Sequence, residues 1–470
     1  MVHQRRRRFR RARLGAVALA TGALAVTAAC TSGSEPPSAE PSRTSSSSSA
    51  ATPSPSASDA PVTLRFAVYG DRQQLAAYRA LARAYEKRNP TVTVRVETAE
   101  GEGTAWQRLG RQVSVEGAPD VFLANSDKTT QLVAEERVQP VDELLEDRDV
   151  EFGDAYERLG LEAFAAESAL QCMPNDVSPS VIFYNERLLD LSAAVQPGET
   201  VPNPVVDGWT WRQFALAAQA ASQPGVQGVY LPPELSTLAP LLRSAGGSIV
   251  DDEQSPTTLT LQDAASRDAL SAILALGRDS RVNPTPQELS REDAVSRFEH
   301  GKLAMMFGTR AMVPRLRQAT GLVFDVYPLP TFSRFQTVAD VTGYCISRTS
   351  DHVEAAADFL AFASGDQGSR ITARSGGVVP ANLAALRSRA FQQPGRAPDN
   401  VTVFTDFVRR AETMPNPLGW SDVVRWTRPL IARLFYDVVL DLDVQLAQID
   451  EVSKRLLAKP TSTPSPSSSG

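Results

Sequence analysis

Val62-Thr63-Leu64-Arg65-Phe66-Ala67-Val68 alternates apolar and polar side chains, the period of a strand with one buried face. Leu75, Tyr78, Leu81 and Tyr85 then recur at the spacing of one helix face, and that pattern stops at Asn89-Pro90. Val92, Val94 and Val96 return to a period of two. Strand, helix and strand in quick succession make a βαβ unit, so the body opens as an α/β structure.

The same alternation continues outward. Residues 120 to 123 read as a short strand before a helical pattern at 130 to 136, and residues 181 to 184 read as a buried strand. Thr210 and Gln213 have the spacing of a capping box in front of Phe214, Ala217, Ala218 and Ala221. Residues 293 to 300 predict a helix closed by Gly301 in a left-handed C-cap, followed by an apolar strand over 303 to 307. Asp351 and Glu354 predict another capping box, before Val353, Ala356, Ala357 and Leu360. Leu430, Leu434, Leu442, Leu446, Ile449 and Val452 predict one or two long helices within 423 to 457. The class is therefore α/β.

The ends of the chain read differently. Residues 1 to 29 hold seven arginines and no acid, and their apolar part, 14 to 29, is shorter than the roughly twenty residues that span a bilayer. This is the pattern of a secretory signal. It closes on Val26-Thr27-Ala28-Ala29-Cys30, which resembles the lipobox of bacterial lipoproteins, with Thr27 where leucine is usual. The resemblance implies that Cys30 becomes a lipidated N-terminus; a cysteine near an ordinary cleavage site is the alternative. Arg6-Arg7-Arg8-Phe9 is similar to part of a twin-arginine export signal. Residues 30 to 60 are dominated by Ser, Pro, Thr and Ala and read as a disordered tether, and residues 459 to 470 as a disordered tail.

Length and composition bound the rest. A chain of 470 residues predicts more than one domain, and 42% hydrophobic with 22% charged residues is the balance of a water-soluble protein. Without the N-terminal arginines the net charge of −6 becomes about −13, which disfavours nucleic acid as a partner. Cys30, Cys172 and Cys345 form no CxxC pair, so no structural zinc, and no metal or cofactor, is expected. His300 and His352 lie in or beside helical patterns, and neither a GxSxG elbow nor a GxxxxGK[ST] loop occurs.

A series of phrases then acquires meaning from its order. Tyr69-Gly70-Asp71 is followed by Gly117-Ala118-Pro119-Asp120-Val121-Phe122, then by Met173-Pro174-Asn175-Asp176 leading to Phe183-Tyr184-Asn185-Glu186. Gly208-Trp209-Thr210-Trp211, Ala245-Gly246-Gly247 and Phe298-Glu299-His300-Gly301-Lys302-Leu303-Ala304-Met305-Met306 come next. Gly343-Tyr344-Cys345-Ile346-Ser347, Gly376-Gly377-Val378-Val379-Pro380 and Met414-Pro415-Asn416-Pro417 complete it. In this order the chain resembles the carbohydrate-binding group of extracellular solute-binding proteins of bacterial ABC importers. The resemblance implies two lobes, 61–175 with 345–394 and 176–344 with 395–458, closing by hinge motion on a ligand in the cleft between them. It further implies a lipid-tethered, monomeric receptor outside the cytoplasm that passes a sugar or related solute to an ABC permease and is no enzyme. An exported glycosidase and a sensing protein that presents to a membrane receptor are the other readings.

A sugar cleft needs planar hydrogen-bonding groups for hydroxyls and aromatic faces for pyranose rings. At the matching positions stand Tyr69 and Asp71 after the first strand, Asn125, Ser126 and Asp127 after the strand that starts at 120, and Asp176 and Ser178 at the first crossing. In the second lobe they are Glu234, Ser236, Phe307, Arg310 and Trp420. Each has a plainer reading: Asp71 and Asp127 as turn formers, Phe307 and Trp420 as core, and Trp209 and Trp211 as packing around a helix start. Arg310 falls near the place where the family often has a sugar-stacking tryptophan. An arginine there suits hydroxyls, but equally a carboxylate or phosphate. Cys172 and Cys345 fall on strands that the resemblance sets side by side, either bridged or as two buried thiols.

Overall fold

β1 (Val62–Tyr69), α1 (Arg72–Arg88) and β2 (Val92–Ala99) build the expected opening, with Leu64 opposite Val94 and Phe66 opposite Val96 in a parallel pair. The computed structural model describes residues 61–112, 117–196, 198–203 and 208–458. The predicted signal segment, Cys30, the tether and the tail lie outside the described residues. α1 starts where Asp71 and Gln74 form a capping box: the Gln74 N–H donates to the Asp71 carboxylate at 2.8 Å, and the Asp71 N–H to the Gln74 side-chain oxygen at 2.9 Å. Its buried face is Leu75, Tyr78, Leu81, Ala82 and Tyr85, and it ends at Asn89, before the proline that disfavours further helix.

The remaining strands are β3 (Val121–Asn125), β4 (Val138–Gln139), β5 (Ala165–Ala166), β6 (Ala169–Leu170), β7 (Met173–Pro179) and β8 (Val181–Asn185). After them come β9 (Gln227–Tyr230), β10 (Leu303–Gly308), β11 (Phe324–Tyr327), β12 (Thr337–Ser347) and β13 (Ala411–Glu412). One sheet runs β2-β1-β3-β12-β13, with β4 and β7 also paired to β12; a second runs β11-β8-β10-β9, and β5 pairs with β6 alone. The two larger sheets each have their own core. Phe66, Tyr78, Phe122 and Phe359 pack with the first, and Trp209, Phe214, Leu238, Ile273 and Leu434 with the second. A third cluster joins Phe183 and Val326 of the second sheet and Phe298 to Ala373, Val379, Phe391 and Phe404. This is a two-lobed α/β fold.

Three chain segments cross between the lobes side by side. β7 runs through Ser180 into β8, β12 lies antiparallel to β7, and β13 lies parallel to β12 with Val338 opposite Glu412. The Ser180 N–H donates to the Val338 carbonyl at 2.8 Å, and the Thr337 hydroxyl donates to the Ser180 carbonyl at 2.8 Å. Torsions in such a narrow band of crossings are where hinge motion concentrates. Cys172, just before β7, is joined to Cys345 of β12 by a disulfide.

Local signals in the sequence are mostly obeyed. The Thr210–Gln213 box caps the helix Trp211–Ala221, and the helix Ala294–Glu299 is followed by Gly301 at φ 68°. The stretch from 423 to 457 divides into helices Trp420–Tyr436 and Leu442–Leu457. The Asp351–Glu354 box does not form. The helix Val353–Ser364 starts after His352 without a side-chain cap, because the Glu354 carboxylate is held by Arg148 at 2.8 Å, while the Ser350 hydroxyl accepts the His352 N–H at 3.1 Å. No helix among the described residues is long and apolar enough to cross a membrane.

Candidate functional site

The chain leaves β3 at Asn125 into the short 3-10 turn Ser126–Lys128, while in the other lobe Glu234 precedes the helix Leu235–Ser244. Asn125, Ser126 and Asp127 face Glu234, Ser236 and Trp420 across a cavity of about 300 Å³. An adjoining cavity of about 290 Å³ shares Glu234, Ser236, Asp340 and Met414 with it and adds Tyr230, Phe307 and Thr309. Together they form one interlobe cleft, bordered along its length by β12 through Ala339 and Asp340. Its position beyond the end of β3 is where open α/β sheets hold ligands.

Polar groups in the cleft are preset by short-range contacts. The Asp127 N–H donates to the Asn125 side chain at 3.2 Å, which aims the turn. The Lys128 ammonium holds one Asp127 oxygen at 2.7 Å and lies 5.8 Å from the centre of the Trp106 ring; the other Asp127 oxygen is buried without a partner. The Ser236 hydroxyl donates to Glu234 at 2.9 Å. Asp340 is the accessible residue in an otherwise buried stretch of β12, but its surface faces a recess walled by protein. Desolvation therefore dominates and, with the carboxylates of Asp127 and Glu234, pushes its pKa up to about 6. Glu102, at the start of α2 (Glu102–Gln112), is raised to about 7 by burial first and then by Asp127, against the opposing charge of Lys128.

The other residues expected in the site lie outside this cleft. Tyr69 lines a separate cavity of about 260 Å³ beneath α2, beside Asn125, and its buried hydroxyl has no partner. Asp71 caps α1. Asp176 and Ser178 are buried in β7: the Ser178 hydroxyl donates to Asp176 at 2.7 Å, as does the Val379 N–H, and burial raises the carboxyl to about 7. Arg310 is fully buried, donating to the Gly376 carbonyl at 2.8 Å and the Phe391 carbonyl at 3.1 Å. Its guanidinium sits 4.8 Å and 5.1 Å from the Phe391 and Phe404 ring centres, and desolvation, then Arg317, pushes its pKa down to about 9. Trp420 borders the cleft but is only 4% exposed, most of it packed into the core.

The cleft thus gathers Asn125, Ser126, Asp127, Glu234, Ser236, Phe307 and Trp420; Tyr69, Asp71, Asp176, Ser178 and Arg310 are not among its lining residues. Sequence reading missed Lys128, Tyr230, Asp340 and Arg428. Asp340 did leave a signal: a lone acid inside the apolar run Val338-Ala339-Asp340-Val341. Among the described residues no group of three or more His, Cys, Asp or Glu is placed to hold a metal ion.

Two hinged lobes over a small polar cleft define the architecture of a solute-binding protein. The chain belongs to the family of bacterial extracellular solute-binding proteins, whose model matches residues 80–399. Its fold is similar to that of an ABC substrate-binding protein from Listeria monocytogenes in complex with cycloalternan, at 20% identity and TM-score 0.74 over 84% of this chain and 98% of that one. It is similar also to the GacH receptor of Streptomyces glaucescens, solved unliganded and with acarbose, at 20% identity and TM-score 0.70 over 84% and 98%. A third likeness is to the sugar-binding protein MalE of Xanthomonas citri, at 19% identity and TM-score 0.70 over 84% and 97%.

Proposed function

We propose that this protein captures a small hydroxylated solute, a sugar or short oligosaccharide, in the interlobe cleft and passes it unchanged to the membrane subunits of an ABC importer. The observation that carries the reading is the convergence of Asn125 and Asp127 from one lobe, Glu234 and Ser236 from the other and Asp340 of the crossing strand β12 on one cleft. Cavities of about 300 and 290 Å³ lie at the small end of ligand pockets, which favours a guest of one or two rings. The sugar-bound relatives support the same class. The lobes are taken as 61–175 with 345–394 and 176–344 with 395–458, and lipid on Cys30 holds the receptor at the outer face of the cell membrane. Function then rests on closure: a guest touching both lobes binds the closed state better and shifts the population toward it.

A thermal-shift screen with mono- and oligosaccharides tests the reading. At least one is expected to raise the melting temperature, and chromatography is expected to recover it intact. No stabilisation by any carbohydrate contradicts the sugar class, and appearance of cleavage products contradicts a receptor without catalysis. Palmitate labelling that persists after Cys30→Ala contradicts the anchor.

A further inference from the structure

Acids outnumber cations on the wall of the cleft. Asp127, Glu234 and Asp340 all line it, and Glu102 stands close enough behind to interact with both aspartates. The cations on its wall are Lys128 and Arg428, and Lys128 is already engaged with Asp127, Trp106 and, at 3.4 Å, the Ser421 hydroxyl. Foremost among the charges that act on Asp340 are the carboxylates of Asp127 and Glu234, both repulsive. Glu234 receives the Ser236 hydroxyl, a neutral donor, and one Asp127 oxygen is buried with no donor at all. Among the described residues these acids are not grouped to hold a metal ion. An anionic guest would add to the repulsion. A neutral sugar would give hydroxyl donors but no opposing charge. A primary ammonium gives both, with three N–H donors in charge-assisted hydrogen bonds. Tyr230 and Phe307 line the adjoining cavity and supply aromatic surface for the apolar side of such a guest.

We propose that the cleft selects a polyhydroxylated guest bearing a protonated amine, an amino sugar or aminocyclitol of one or two rings, with its ammonium against the acidic wall to which Asp127, Glu234 and Asp340 contribute. This rests on the sugar-receptor reading above and narrows it. Isothermal titration at pH 7.5 with three disaccharides of one skeleton isolates the amine: the β1,4 dimer of glucosamine, its N-acetylated form and cellobiose. Neamine, maltose and putrescine complete the panel. The glucosamine dimer or neamine is expected to bind at least about tenfold tighter than the neutral sugars, a difference of about 1.4 kcal/mol. Asp340→Asn is expected to remove most of that preference, weakening the amino compounds at least about fivefold more than the neutral sugars, and Glu234→Gln to weaken amine binding likewise. Neutral disaccharides binding as tightly as the amino ones, or an unchanged preference in both variants, overturns the inference and leaves the sugar-receptor reading standing. Putrescine binding while every ring compound is inert, or no binding by any member, overturns both.

Discussion

Replacing Arg310 by methionine separates a structural arginine from a ligand-binding one. Its guanidinium leaves the end of β10 to donate to the carbonyls of Gly376 and Phe391, between the rings of Phe391 and Phe404. Hydrogen bonds from a charged donor contribute roughly 1.5–3 kcal/mol each, and a desolvated cation–ring contact about 1–2 kcal/mol. Against these stands the cost of burying the charge, visible in the pKa pushed down to about 9 and amounting to several kcal/mol. Methionine refills much of the volume but leaves two carbonyls without donors, at about 1–3 kcal/mol each where water cannot reach them. The expected net loss is about 3 kcal/mol, allowing for partial relaxation. Urea unfolding followed by tryptophan fluorescence measures it, and titration of the folded variant measures solute affinity, expected to stay within about threefold of wild type. A variant that loses less than about 0.5 kcal/mol of stability yet binds solute more than about tenfold more weakly would refute the assignment, because Arg310 would then be reaching the guest.

Asp340, with its carboxyl raised to about 6, holds a proton in the folded chain where the unfolded chain has released it, so its contribution is intact below about pH 4 and is lost as pH rises through 6. Asp340→Asn should therefore gain on wild type between pH 4 and 8, by up to about 1 kcal/mol because solvent in the cleft screens the charge, and a melting-temperature difference that shrinks over that range contradicts this. Removing the disulfide with Cys172→Ala and Cys345→Ala opens a loop closed across 173 residues, which the chain-entropy model values at about 5 kcal/mol; a denaturation midpoint unmoved by the pair would show that this constraint is irrelevant to stability. A Cβ at Gly343, beside the bulge of β12, would meet the Phe164 ring at 2.6 Å and the Met173 carbonyl at 2.9 Å, so Gly343→Ala should cost about 2 kcal/mol by calorimetry, and a neutral result would reveal slack in the hinge strands.

The parts of this molecule written in local periodicity could be read before its structure. β1, α1 and β2 announce themselves because one sheet face and one helix face are buried, and the Thr210–Gln213 box because capping is a contact between near neighbours. Roles decided by distant partners could not be read that way. Asp71 is not such a case: its capping partner Gln74 stands three residues on, at the spacing of a capping box. Glu354 is drawn off its expected cap by Arg148, more than two hundred residues away in sequence. Arg310 is buried because Phe391 and Phe404 fold over it from the far side of the chain, and Asp340 borders the cleft because β12 is a crossing strand.

The most direct measurement is a crystal structure of the complex with whichever carbohydrate stabilises the protein most. The guest is expected between the lobes, hydrogen-bonded to Asp127 on one side and to Glu234 on the other, with its covalent structure intact. Density for it in the cavity beneath α2, in the groove lined by Glu157 and Arg409, or on a single lobe would contradict the account.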